Sequence, residues 1–199
     1  MDTELLQRIR AMADDADWTV RESAANEIKR INDKRFAAYL PVWQQWVHDP
    51  NPNIRRAIEV GLLRIPQIYY REAFKLLVPL LSDDDPYVRI NCGPFALSAV
   101  AYRNPEDAFG RFSELIKSEN QQVRWNIAMC LGVMFGVRYP ERSISLLETL
   151  AADERRFVWR AAASSLIKLL RRFPEYKNGV YLFQGVDPVL NVVRHYVER

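Results

Sequence analysis

Asp83-Asp84-Asp85-Pro86-Tyr87-Val88-Arg89 decides the architecture, because its layout recurs in four other segments. Val or Ile stands at Val20, Ile54, Val88, Val123 and Val158, at spacings of 34, 34, 35 and 35 residues. Arg21, Arg55, Arg89 and Arg124 follow it, and the fifth copy has Trp159 in that place. Five residues upstream stand Asp15, Asp49, Asp83, Ser118 and Asp153. Three upstream stand Asp17, Asn51, Asp85, Asn120 and Arg155. A fixed period of this length marks a helical solenoid.

The Asp or Asn three residues before the valine is an N-cap, since its side-chain oxygen can accept a free amide at a helix start. Pro52 and Pro86 then fall on the first helical position, where a missing N–H is harmless. A second helix of each repeat therefore starts here. Its apolar positions follow at +4, +8 and +11 from the valine, as in Ala24, Ile28 and Ile31 or Cys92, Ala96 and Ala99. The fourth copy reads Ile127, Leu131 and Met134. Counting back 14, 11 and 8 gives the inner face of a first helix, for example Phe74, Leu77 and Leu80. Each unit is a helical hairpin.

The 199 residues fit a single repeat domain, with repeats at about 1–34, 35–69, 70–103, 104–139 and 140–174. Residues 187–199 are expected to form a C-terminal capping helix, opened by Asp187-Pro188 and apolar at Val189, Val192, Val193 and Tyr196. The expected fold class is all-α, a right-handed α-solenoid of about five hairpins plus that cap. No apolar run approaches the roughly 18 residues of a membrane span, and the N-terminus lacks a signal peptide's apolar region. Cys92 and Cys130 occupy inner positions of different repeats and read as buried thiols in a reducing, cytoplasmic compartment. A net charge of +3 is too small to establish a nucleic-acid partner by itself.

One local rule is broken at Gly93-Pro94, within the second helix of repeat three. Proline there removes a backbone hydrogen bond and clashes with the preceding turn, at a cost of about 3 kcal/mol. The resulting kink either adjusts curvature or opens a ligand notch.

A hairpin with Asp in its inter-helix turn and Val-Arg opening the second helix resembles the HEAT repeat, over about residues 3–174. The resemblance implies a ladder between neighbouring repeats built from Asp15, Asp49, Asp83 and Asp153 with Arg21, Arg55, Arg89 and Arg124. Ser118 and Trp159 interrupt it. Arg89→Ala is then expected to destabilise the stack by about 1.5–3 kcal/mol, and Arg56→Ala to do little. "DADWTVRESAANEIKRI", "WVHDPNPNIRRAIEVGLLRIP" and "DPYVRINCGPFALSAVAYRNPE" resemble, more narrowly, the HEAT-like repeats of bacterial DNA alkylation-repair glycosylases. In that family a concave basic surface cradles DNA, and aromatic residues with a carboxylate act on the lesion. The sequence has no Trp-x-x-x-Asp element of the kind such enzymes use, so no catalytic residue is carried over.

The HEAT likeness places the second helices on the concave side. Their outward positions carry Lys29, Arg30, Arg56, Arg64, Arg160 and Lys168, with Trp125 and Trp159 as aromatic candidates. Basic side chains on a curved surface neutralise phosphates, and tryptophan stacks on bases or fills gaps between repeats. The expected function is a binding module whose concave face holds a protein partner or duplex DNA. The alternative is a DNA-binding alkylation-repair protein, glycosylase-like if it is an enzyme. His48 and His195 have no ligand-type neighbour at helical spacing, and no phosphate loop, nucleophile elbow or CxxC is present. No metal, small-molecule cofactor or membrane partner is expected.

Overall fold

In the computed structural model the described residues are 2–176, and the expected capping helix at 187–199 lies outside them. The chain is an all-α solenoid of helical hairpins. It divides into two compact units, one ending at Asn104 and one beginning at Pro105, the division falling between the third and fourth repeats.

The first unit holds three hairpins. Helix α1 (Thr3–Ala13) is followed by α2 (Trp18–Trp46), which is broken at Arg35, where the backbone leaves helical geometry. α2 therefore serves both as second helix of repeat one and first helix of repeat two. The unit continues with α3 (Pro52–Gly61), α4 (Tyr70–Leu80) and α5 (Pro86–Asn91). A π-helical turn (Cys92–Leu97) and α6 (Ser98–Ala101) complete it. The second unit holds α7 (Pro105–Leu115), α8 (Gln121–Leu131), α9 (Met134–Arg138), α10 (Pro140–Ala151) and α11 (Arg156–Arg172). Among the described residues no helix is long and apolar enough to cross a membrane.

The turn chemistry explains why the second helices start where they do. The Asp17 carboxylate accepts the Thr19 amide at 2.8 Å, Asn51 accepts that of Asn53 at 2.9 Å, Asp85 that of Tyr87 at 2.8 Å and Asn120 that of Gln122 at 2.8 Å. The fifth copy, with Arg155, has no side-chain cap. The residue five before the valine closes the turn itself. Asp15, Asp49, Asp83, Ser118 and Asp153 each accept the amide two residues on, at 2.8–3.2 Å. Their recurrence is thus a local requirement of the turn.

The arginine after the valine folds back over the same turn. Arg21 Nη1 donates to the Asp15 and Ala16 carbonyls, and Arg55 Nη1 to those of Asp49 and Pro50. Arg89 Nη1 reaches those of Asp83 and Asp84, and Arg124 Nε that of Ser118. Only two of the four also bind the next repeat's carboxylate. Arg55 makes a two-pronged pair with Asp83, Nε and Nη2 each at 2.7 Å from an oxygen, and Arg124 pairs with Asp153. The ladder implied by the HEAT likeness is therefore corrected at Arg21 and Arg89. Asp49 is paired with Arg10 of α1 at 2.6 Å, so Arg21 does not hold it. Arg89, whose next copy in the sequence has Ser118 in place of the carboxylate, stays on its own carbonyls.

Inside the hairpins the helical register holds with two physical exceptions. Pro94 does not merely bend its helix. The Ser98 amide reaches back to the Gly93 carbonyl, a five-residue step that widens the turn around the proline ring. One extra residue rotates the inner face, so Val100 is buried where Ala99 was expected. In repeat four, α8 ends at Leu131, so Met134 is exposed and Phe135 fills the core. Between repeats one and two the helices approach closely at Gly61. A Cβ there would stand 2.2 Å from Ile28 Cγ2. The wholly buried Asn32 donates to the Gly61 carbonyl at 2.9 Å and accepts from Trp43 Nε1 at 2.8 Å.

Candidate functional site

A hollow of about 440 Å³ opens on the first unit where the second helices of its three repeats lie side by side. α2 contributes Trp18, Glu22 and Lys29. α3 contributes Arg56, Glu59, Val60 and Leu63 from its body and following turn. Tyr87 and Asn91 of α5, with Phe95 and Ala96 of the π turn, close it. The notch reading of Pro94 thus has a physical basis, because the widened turn presents Phe95 to the hollow. Trp18, Tyr87 and Phe95 leave 56, 47 and 60% of their surfaces in water, unusual for rings of this size.

The charged groups of the hollow differ sharply in state. Arg56 donates through Nη2 to Glu22 Oε1 at 2.5 Å, and its guanidinium lies 4.6 Å from the centre of the Tyr87 ring. Glu59 is 1% exposed, and its Oε2 has no hydrogen-bond partner. Burial pushes its carboxyl up to about 8. The nearby Arg56 cation opposes that rise and the Asp83 charge adds to it. An isolated buried carboxyl costs several kcal/mol, about the scale of a whole domain's margin of stability, so its presence asks for a reason.

Glu59 was absent from the sequence candidates, although a signal for it exists. It stands five residues after Ile54. The same register in the other repeats is occupied by Ala25, Gly93, Ala128 and Ala163, all buried and small. A carboxylate where the repeat calls for a small apolar residue departs from the architecture. It is also the carboxylate beside exposed aromatic side chains that the sequence alone did not place.

The candidate basic residues do not form one set. Arg56 is turned into the hollow and paired, which corrects its reading as a free outward cation. Arg30 is paired with Glu27 at 2.7 Å, and Lys29 Nζ donates to Asn26 Oδ1 at 3.1 Å. Arg64 lies past the end of α3, in the turn, because the helix stops at Gly61. In the second unit Trp125 stacks on Phe157, centroids 5.5 Å apart and planes at 14°. With Arg156, Arg160 and Ala161 this pair borders a shallow hollow of about 640 Å³. Trp159 is half-buried and Lys168 is exposed on α11.

A sequence model of HEAT repeats matches residues 95–167. That segment carries HEAT repeats. No curated protein matches the sequence. Among solved structures, AlkD2 from Streptococcus mutans is similar with a TM-score of 0.70 at 13% identity, over 98% of this chain and 96% of that one. A structure titled for the TOG domain array with which crescerin regulates microtubules in the primary cilium has a TM-score of 0.64 at 18% identity. It is covered over 90%, against 100% of this chain. A structure reporting TOG–tubulin binding specificity has a TM-score of 0.58 at 16% identity, over 97% of this chain and 82% of that one. These likenesses show a helical-repeat fold shared with AlkD2 and with TOG domains.

Proposed function

We propose that the chain is a HEAT-repeat binding module that holds a macromolecular partner against the second-helix face of its first unit. The observation that carries this is the hollow, where three large aromatic side chains stay half in water around a buried carboxyl. Clustered aromatic surface of that kind marks docking sites, because its burial by a partner is strongly favourable and costs little side-chain entropy. A TOG structure of the same fold is titled for tubulin binding, which supports a partner of macromolecular size.

The test is site-specific photo-cross-linking of the full chain in its native cells. A benzophenone amino acid at Asn91, on the rim of the hollow, is expected to capture a discrete partner, and Trp18→Ala should abolish the capture. The same probe at Lys75 on α4 should capture none. No product at Asn91, or equal products at both positions, would end this reading.

A second reading is DNA binding of the alkylation-repair kind. It is favoured by Glu59 beside aromatic rings and by Arg156 and Arg160 next to the Trp125–Phe157 stack. Fluorescence anisotropy with duplex DNA at two salt concentrations decides it. Each phosphate contact adds about 0.9 to the slope of log affinity against log salt. Arg156→Gln with Arg160→Gln should then flatten the slope, and a glycosylase would lose release of a modified base on Glu59→Gln. Absence of binding at low salt ends the DNA reading.

A further inference from the structure

Resting on the binding-module reading, we propose that the hollow of the first unit receives a lysine or arginine side chain of a protein partner. The Glu59 carboxylate and the faces of Trp18 and Phe95 hold it. The hollow contains its own precedent. Arg56 is gripped by a carboxylate, Glu22, at 2.5 Å and lies against a ring, Tyr87, at 4.6 Å. Glu59 with Trp18 and Phe95 brings the same kinds of group, a carboxyl and aromatic rings, to one hollow. Glu59 Oε2 has no partner, and the repeat does not require a carboxylate at this register, as Ala25, Ala128 and Ala163 show.

The chemistry of the guest follows from that orphan oxygen. A neutral apolar guest would bury the carboxyl further and leave it unsatisfied, and an anion would meet the Glu22 carboxylate and keep Glu59 from ionising. A cation satisfies Glu59 and gains from the aromatic faces at once. Its arrival would displace the proton that burial retains on the carboxyl up to about pH 8. A protein is favoured over a nucleic acid because the cations of this face are turned onto groups of the chain itself. Arg56 is held by Glu22, Arg30 by Glu27 and Lys29 by Asn26, which leaves little here to neutralise phosphates.

The test is an NMR titration of the full chain carrying glutamate labelled at the side-chain carboxyl carbon. The probes are n-butylguanidinium, its neutral analogue n-butylurea, and adenosine monophosphate. n-Butylguanidinium is expected to shift the Glu59 signal, lower its pKa and bind about 25-fold more tightly at pH 8.5 than at pH 6.5, since the carboxylate form is the receptor. Glu59→Gln should abolish binding while keeping the fold, and Lys117→Gln, at an exposed lysine of the second unit, should leave it unchanged.

Equal binding of n-butylurea would mean a merely apolar hollow and would overturn the proposal, as would preferential binding of adenosine monophosphate. Failure of every probe at millimolar concentration would overturn it too. If Lys29→Gln alone moves the Glu59 pKa and n-butylguanidinium does not, the cation is internal and the proposal falls. In the cross-linking experiment, capture at Asn91 that persists unweakened in Glu59→Gln would remove the cation assignment and leave the binding module standing. Loss of capture in the wild type would remove the latter.

Discussion

Arg55 and Arg56 are neighbours on α3 and belong to two regions built on opposite logic. Arg55 sits in the column of turns, where it joins its own turn's carbonyls to the Asp83 carboxylate of the next repeat. Every partner it uses comes from a position that recurs through the chain. Arg56 sits in the hollow and binds Glu22 and Tyr87, and beside it stands Glu59, a residue the other repeats do not share. The repeated positions satisfy the backbone at each helix start. The position that departs from the repeat leaves a polar atom unsatisfied. In a solenoid, then, departure from the period is a sharper pointer to function than charge or tryptophan content.

The sharpest way to break this comparison is to remove a carboxylate from each region. Asp83→Ala takes the partner from a mostly buried Arg55 and the acceptor from the Asp85 amide, so it should cost about 3–5 kcal/mol in urea unfolding. If Glu22→Ala cost as much, the hollow would be as structural as the turns.

Glu59→Gln should act in the opposite direction. The folded-state pKa, about 8, lies above the ordinary glutamate value of 4.5, so the folded wild type binds this proton more tightly than the unfolded chain. Its contribution is fully present below about pH 4.5, is lost as pH rises towards 8, and is constant above. The glutamine variant escapes that loss. It should match the wild type at pH 4 and exceed it at pH 9 by about 5 kcal/mol at most, given about 1.4 kcal/mol per tenfold change in proton affinity. Unfolding curves at the two pH values check this, and a constant offset would mean that Glu59 is solvated or paired.

Smaller effects grade the turn column itself. Arg89→Ala removes hydrogen bonds to two carbonyls and no ion pair, so about 1–2 kcal/mol is expected, less than for Arg55→Ala in parallel melts. Arg30→Ala should change stability by no more than about 0.5 kcal/mol, because its pair with Glu27 is exposed.

The hairpins were legible because their causes are local. Caps such as Asp17 and Asp85, prolines at the helix start and the period of the inner residues all act within one turn. What escaped depended on contacts across repeats. Nothing within the turn of Arg21 says that Arg10 holds Asp49, and the one-residue shift from Ala99 to Val100 follows from how a helix absorbs Pro94. The hollow was only partly visible. Arg56 was singled out, but as a free cation. Glu59 was hidden by its placement between the inner and outer faces, and comparison of the five repeats at that register would have exposed it.

The buried amide of Asn32 has a consequence for how such a chain can be rearranged. Repeats are commonly treated as interchangeable modules, to be duplicated, deleted or shuffled. Here the first joint is keyed: Asn32 bonds both Trp43 and the carbonyl of Gly61, and Ile28 occupies the space a side chain at 61 would need. A copy of repeat three inserted behind repeat one would bring Leu77 to the place of Trp43 and Phe95 to that of Gly61, with neither the indole N–H nor the glycine notch. The first two hairpins therefore travel as one cassette, and grafting or recombination that respects the 34-residue period would still fail at this seam.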